Sequence, residues 1–186
     1  MTDNDFIIRK ATLSDCEAIG HIHTISWQQS YKGIIPQDYL DNLSEAERAT
    51  QCYKIMSSPE SDSLYLVAEQ NGTIIGFGVF GPLRYSETEE EETELYAIYL
   101  LDEVKGTGIG VALAQAIAQE LISQNYNSMM LWVLKDNPRA IKFYERLGGV
   151  KGRSEISDIG GKDLEEIAYI WKDLKNSPLN KEAISS

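Results

Sequence analysis

The run Leu95-Tyr-Ala-Ile-Tyr-Leu-Leu101, followed four residues later by Gly106-Thr-Gly-Ile-Gly110, constrains the fold more than any other stretch. The apolar run reads as a buried strand. Beyond the glycines, Ile109, Leu113, Ala116, Ile117 and Leu121 recur three and four residues apart, which predicts an amphipathic helix ending near Asn125. Glycines between a strand and a helix let backbone N–H groups approach an anion, and the first helical turn adds unpaired donors and the positive end of its dipole. A phosphate suits such a turn; the alternative is a tight turn that only lets the helix pack closely. Spacing excludes two phosphate motifs. Val111 and Leu113 stand where a dinucleotide fingerprint needs its third small residue, and no Gly-Lys-Ser or Gly-Lys-Thr closes a nucleoside-triphosphate loop.

The rest of the chain alternates strand and helix signals. Phe6 to Arg9 is a short strand, and Ser14-x-x-Glu17 forms a capping box ahead of a helix that fades near Tyr31-Lys-Gly33. A second helix is expected over Ser44 to Met56. Leu64 to Ala68 and Thr73 to Phe80 flank Asn71-Gly72, a strong hairpin signal because both turn residues tolerate positive φ. Ser86 to Glu94 carries six glutamates in nine residues and reads as a solvated loop. Met129 to Leu134 is a strand, and Asn137-Pro138 caps a helix closed by Gly148. Strands follow over Val150 to Ile156 and Leu164 to Trp171. The order βααββ, βαβα, ββ implies an α/β (α+β) fold, a mixed sheet with helices on both faces. One domain over 1–175 is expected, followed by a frayed polar tail over 176–186.

Charge narrows the partners. The 186 residues hold 17 Lys and Arg against 29 Asp and Glu, a net charge of −12, which argues against nucleic acid and anionic membranes. Between Lys105 and Lys151, however, Lys105, Lys135, Arg139, Lys142, Arg146 and Lys151 outnumber Glu120, Asp136 and Glu145. This local excess suits a polyphosphorylated ligand. Cys16 and Cys52 lack Cys-x-x-Cys spacing and read as free thiols in a reducing, cytoplasmic compartment. The acidic start, MTDNDFIIRK, and the lack of a long apolar run predict neither export nor membrane insertion. His21 and His23 fall on nearly opposite sides of a helix, and no metal is expected. Neither a Gly-x-Ser-x-Gly elbow nor a paired-cysteine zinc site is present.

Three motifs in order then resemble the GNAT superfamily of acetyl-CoA-dependent N-acetyltransferases. They are Glu94-Leu-Tyr-Ala-Ile-Tyr-Leu100, Lys105-Gly-Thr-Gly-Ile-Gly110 and Asn137-Pro-Arg-Ala-Ile-Lys-Phe-Tyr144-Glu-Arg-Leu-Gly148. Trp27, Tyr31 to Pro36 and Tyr39-Leu40 also look like the early region of many bacterial members. Lys105 departs from the usual Gln or Arg, and Asp102 stands where proline is frequent; main-chain binding of phosphate tolerates both.

The resemblance implies a mostly antiparallel sheet with a splayed central strand pair, and acetyl-CoA as co-substrate. It implies cofactor contacts from Ile98, Tyr99, Leu100, Lys105, Gly106, Thr107, Gly108, Ile109, Gly110, Asn137, Arg139, Lys142 and Tyr144. The Ile98 N–H would polarise the thioester oxygen, Leu100 would hold the pantetheine amide, and Asn137 would touch the coenzyme. An amine with a pKa of about 10.4 needs a base. By resemblance that is Glu94, raised by its neighbours Glu91 and Glu92, unless Glu94 merely ends the acidic loop. Tyr144 would be the acid toward sulfur, unless it is a core aromatic. Trp27 and Tyr31 would line an acceptor pocket, or build core. The expected activity is acetyl transfer to a primary amine of a small, cationic molecule or a peptide. The rival expectation is a non-catalytic acyl-CoA sensor or interaction module of the same fold. A homodimer is compatible with the family, the sequence leaving the assembly open.

Overall fold

A computed structural model describes residues 6–84 and 91–180. The sheet grows from the hairpin at Asn71-Gly72, whose φ values of 52° and 78° let strand β2 (Leu64–Gln70) return directly as β3 (Thr73–Pro82). β1 (Phe6–Lys10) flanks β2, and β4 (Thr93–Leu100) flanks β3, all antiparallel. β5 (Met129–Leu134) lies parallel to β4, followed across the sheet by β7 (Lys162–Trp171) and the outer strand β6 (Val150–Ile159). The seven strands run in the order β1-β2-β3-β4-β5-β7-β6, so a mostly antiparallel sheet contains one parallel join.

That join is short. β4 and β5 pair only at Thr93 with Met129 and Glu94 with Met130, and from Leu95 onward they part. A bulge explains the divergence. Val79 pairs with Ala97 but Phe80 with Leu95, so Tyr96 is an extra residue that bends β4 and increases its twist. The join itself is clasped. Thr93 Oγ1 donates to Ser128 O at 2.7 Å, and the Glu92 carboxylate accepts from Asn127 N at 2.5 Å and Ser128 N at 3.1 Å.

Helices cover both faces. α4 (Ile109–Ser123) buries Leu113, Ile117 and Leu121 against Phe80, Leu95, Leu131 and Tyr169, with α5 (Pro138–Arg146) beside it. On the opposite face α1 (Cys16–Ser30) and α3 (Glu45–Ser57) enclose Tyr65, Val67 and Phe77, and the Cys16 and Cys52 thiols meet at 2.8 Å between them. A short α2 (Gln37–Asp41) buries Leu40 with Ile35, Leu134 and Leu164. Among the described residues no helix is long and apolar enough to cross a membrane.

Several expectations need correction. The first cap is Thr12 with Asp15, not Ser14 with Glu17: Thr12 N donates to Asp15 Oδ2 at 2.7 Å, because Arg9 draws that carboxylate toward β1. α2 was not expected; its five residues are too few for a periodic signal. β6 and β7 run longer than predicted because the Gly160-Gly161 turn, with both φ positive, closes a tight hairpin. Residues 176–180 are not frayed: Leu179, like Leu174 before it, is buried in the α4 core. Glu91 and Glu94 are buried rather than solvated; the 85–90 part of that expected loop lies outside the described residues.

Helix α1 can lie against α3 only because position 20 has no side chain. A Cβ on Gly20 would sit 2.6 Å from Ala49 N and from Glu45 O, both backbone atoms. Gly20→Ala would gain about 1 kcal/mol of helix propensity against an overpacking penalty of about 1–3 kcal/mol. We expect a lower urea midpoint with unchanged slope; a midpoint equal to or above that of the parent would show that the helix pair yields freely.

Candidate active site

The parted strands leave one edge of β4 open, and strand alternation decides which groups face it. Leu101 N donates to Ile75 O on β3 at 3.0 Å, so the amides of Tyr99 and Leu101 point toward β3 while those of Ile98 and Leu100 point to the open side. Ser26 Oγ, arriving from α1, donates to Leu100 O at 3.2 Å. That carbonyl is thereby satisfied, and the Ile98 and Leu100 N–H groups line the opening.

The glycine turn sits at the end of this edge. Gly106 and Gly108 have φ of 89° and 93°, and nothing lies within 4 Å of where their side chains would be. Thr107 folds inward, its Oγ1 donating to Val104 O at 2.7 Å. Ala112 N donates to Gly108 O at 3.0 Å, so the amides of Gly108, Ile109, Gly110 and Val111 precede the first helical bond of α4. Four N–H groups therefore converge at the positive end of a 15-residue helix. Lys105 contributes less charge than expected, because its ammonium is paired with Asp102 and lies 3.4 Å from Ser30 Oγ. Lys135 is likewise paired, with Glu165 at 2.6 Å. The exposed cations left on α5 are Arg139, Lys142 and Arg146. Asn137 caps α5, accepting from Ala140 N at 3.2 Å through its side-chain oxygen.

Tyr144 projects from α5 into an aromatic group with Phe143, Tyr169 and Trp171. Among the described residues its hydroxyl has no hydrogen-bond partner. Burial, reinforced by the neighbouring Tyr99 phenol, raises its pKa, so it keeps its proton at neutral pH. Tyr99 itself turns to the other face. There it stacks on His23 at 5.3 Å and accepts from Trp27 Nε1 at 2.9 Å; burial raises its phenol as well. Trp27 contacts Tyr31 edge-on at 5.1 Å, and burial holds the Tyr31 phenol well above its ordinary value. The hydroxyls of Tyr31, Tyr99 and Tyr144 act electrostatically on one another, so side chains from both faces meet in the gap between β4 and β5.

Glu94 is in the last pair before the gap, buried, on the same face as Met130. Its carboxylate is already engaged. Arg84 Nε donates to Oε1 at 3.0 Å, Arg84 N to Oε2 at 3.2 Å, and the guanidinium Nη2 closes on Oε1. Burial works against the Arg84 charge, but the Glu94 hydrogen bonds outweigh it and raise its pKa. The repulsion expected from Glu91 and Glu92 is absorbed elsewhere: Glu91 pairs with Arg153 at 3.1 Å, and Glu92 holds the Asn127 and Ser128 amides. Of the two histidines, exposed His21 pairs with Glu45 at 3.0 Å, and His23 packs among Trp27, Phe77 and Tyr99. Sequence reasoning missed Arg84, Ser26 and Glu166 of β7. Ser26 meets Leu100 from 74 residues away, and Arg84 with Glu94 and Glu166 with Ser157 meet across neighbouring strands at separations that no motif spacing marks.

The parted mixed sheet with a helix start beside it is a fold shared with solved acetyltransferase structures, and the family that the chain matches is one of acyltransferases. The acetyltransferase (GNAT) family model matches residues 26–149, and the chain belongs to the GNAT superfamily of N-acetyltransferases. It is 35% identical over 167 residues to the uncharacterized N-acetyltransferase YuaI of Bacillus subtilis, covering 90% of this chain and 93% of that one. Its fold is similar to that of the PaiA N-acetyltransferase of Thermoplasma acidophilum in complex with coenzyme A, with TM-score 0.66 and 23% identity over 88% of this chain and 98% of that one. It is also similar to YncA, a putative acetyltransferase of Salmonella typhimurium with its cofactor acetyl-CoA, with TM-score 0.68 and 19% identity over 98% of both chains.

His23 supplies a pH test of the packing around Tyr99. Burial, with the Arg48 charge adding to it, lowers its pKa from 6.5 to about 4. The unfolded chain therefore binds a proton that the folded chain refuses, and stability falls as pH drops from 6.5 toward 4. The loss should reach about 3 kcal/mol. Urea unfolding of His23→Gln should show a flatter profile across that window, whatever its stability at pH 7; an unchanged slope would mean that His23 already reaches solvent.

Proposed function

We propose that this chain moves an acetyl group from acetyl-CoA to a primary amine of a small, cationic acceptor or a peptide. The observation that carries the reading is the meeting of the open β4 edge with the uncovered amides that begin α4. The first is suited to an extended amide-bearing chain, the second to a diphosphate. Gly106 to Gly110 and Val111 would hold the phosphates through backbone N–H groups, with Arg139 and Lys142 adding charge and Asn137 a polar contact through its amide nitrogen. Ile98 and Leu100 would hold the pantetheine portion. When bound, acetyl-CoA supplies an activated acyl group.

The chain's own residues supply the rest. Ile98 N–H donates to the oxygen on which negative charge develops. Tyr144, protonated and without a hydrogen-bond partner among the described residues, donates toward the departing sulfur. Glu94 accepts the amine proton, through water or after Arg84 shifts, since Arg84 occupies its oxygens at rest. Trp27 and Tyr31 flank the acceptor's approach on the α1 face. Cytoplasmic residence and homodimeric assembly belong to the same proposal; the first is supported by the two free buried thiols, and the second is read by light scattering.

The occupied Glu94 carboxylate favours the rival reading, a domain that binds acyl-CoA without turning it over. Thiol release separates the two. Purified protein with acetyl-CoA and an amine panel should liberate free coenzyme A, and Glu94→Gln and Tyr144→Phe should each slow release about 10²–10⁴-fold while calorimetry still detects the coenzyme. Coenzyme binding with no release across the panel would establish the sensor.

Gly108→Val tests the cradle separately. At φ 93° a β-branched residue is strained, and its side chain would fill the open space where the diphosphate is placed. Calorimetry should show coenzyme A affinity at least tenfold weaker. Undiminished affinity would move the phosphate site elsewhere.

A further inference from the structure

Most carboxylates around the gap already have cationic or amide partners. Arg84 holds Glu94, Arg153 holds Glu91, and Lys135 holds Glu165. Glu166 differs. It is half-buried on β7, and the contact it makes is with Ser157, whose Oγ donates to Oε2 at 2.7 Å; no cation among the described residues forms an ion pair with it.

Its placement follows from strand alternation. Leu164, Glu166, Ala168 and Ile170 share one face of β7, the face covered by α1 and α2 rather than by α4. On one side Leu164 packs in the group that holds Trp27 and Tyr31; on the other, Ala168 and Ile170 pack with Met130 and Trp132 of β5. Glu166 stands between these groups, opposite Leu134 of β5. Its charge acts on the Tyr31 and Tyr99 phenols and on Arg84, which arrive from α1, β4 and the end of β3. A half-buried carboxylate that forms no ion pair among the described residues therefore lies on the aromatic, α1 side of the sheet, with Arg84 a cation that its charge reaches.

We propose that Glu166 determines acceptor specificity by binding a second cationic centre of the acceptor, remote from the amine that reacts. The inference rests on the acetyltransferase reading above. The reacting amine must lose its proton before attack, so a carboxylate paired to that ammonium would lose its partner on the way to the transition state. A carboxylate paired to a remote ammonium keeps its contact throughout and raises kcat/KM for molecules that carry one. The Tyr31 ring adds cation–π attraction without demanding a fixed hydrogen-bond geometry; the Trp27 face already carries Arg48 at 5.5 Å, and His23 stacks on Tyr99. The chemical class is thus a diamine, or an amine on a scaffold bearing another positive charge, in preference to a monoamine.

The test compares a diaminoalkane series with n-alkyl monoamines of equal length, measured by thiol release. The wild type should prefer the diamine, and Glu166→Gln should lower the ratio of diamine to monoamine kcat/KM at least tenfold, chiefly through KM. Glu166→Asp should recover part of it. Coenzyme A affinity and thermal unfolding of each variant serve as checks on folding. Equal losses for both amine classes, or no loss, would overturn the proposal. If the wild type binds acetyl-CoA yet acetylates nothing, the acetyltransferase reading fails by itself. Calorimetric titration of diamine into the protein–coenzyme A complex then decides for Glu166: at least tenfold weaker binding in the glutamine variant supports the site, and undiminished or absent binding removes it.

Discussion

The parting of β4 from β5 after Glu94 is the constraint on which the remaining structure depends. Two residue pairs hold the strands together, and they are fixed by bonds that do not slide: Thr93 to Ser128, and the Glu92 carboxylate to two amides. Beyond the clasp the Tyr96 bulge turns β4 away. An open strand edge inside a sheet leaves unpaired N–H and C=O groups, which is costly unless something satisfies them. The protein satisfies the Leu100 carbonyl with Ser26 and leaves the neighbouring donors available. Part of the gap thus stays open, because the chain itself closes only the rest of it.

Electrostatics then divides the gap into two sides. At the α4 end the donors are neutral amides with aligned dipoles, so their attraction for an anion does not depend on pH or on a flexible side chain. This explains why pairing Lys105 with Asp102 need not weaken the site. On the α1 face the groups are the Tyr31 and Tyr99 phenols, carboxylates and the Arg48 guanidinium over Trp27, and burial keeps both phenols, and that of Tyr144 on the other face, protonated. Neutral phenols between the carboxylates and the α4 helix start add no charge of their own to the gap.

Much of this was legible in the residues, for reasons that differ by element. The Asn71-Gly72 hairpin and β5 were read correctly because turn chemistry and apolar runs are local signals. The glycine turn was legible because positive φ restricts which residue can stand there. Position along the chain could not show that Thr12, with Asp15 drawn by Arg9, forms the first capping box in place of Ser14 and Glu17, nor that Leu179 returns to the α4 core. The site was half legible for the same reason. Motif spacing locates Glu94 and Tyr144, but the groups that decide how they behave, Arg84 and the phenols of Tyr31 and Tyr99, reach them through tertiary folding alone.

The Arg84–Glu94 pair shows why that difference matters. A carboxylate reached by two guanidinium nitrogens and a backbone amide has few lone pairs left for an incoming ammonium. Either a water shares the remaining acceptor sites, or Arg84 moves. The guanidinium side chain is half exposed and rests over the Tyr96 ring at 5.0 Å, while the carboxylate is buried. The more exposed partner is the arginine, and its contacts are ones that a cationic acceptor could replace. Arg84 would then act as a stand-in for the acceptor's charge: it keeps Glu94 compensated while the gap is open and is repelled when an ammonium enters. On the proposed reading, Glu94 would become free to take a proton only when a cationic acceptor displaces Arg84, which would couple recognition of a cation to readiness for proton removal.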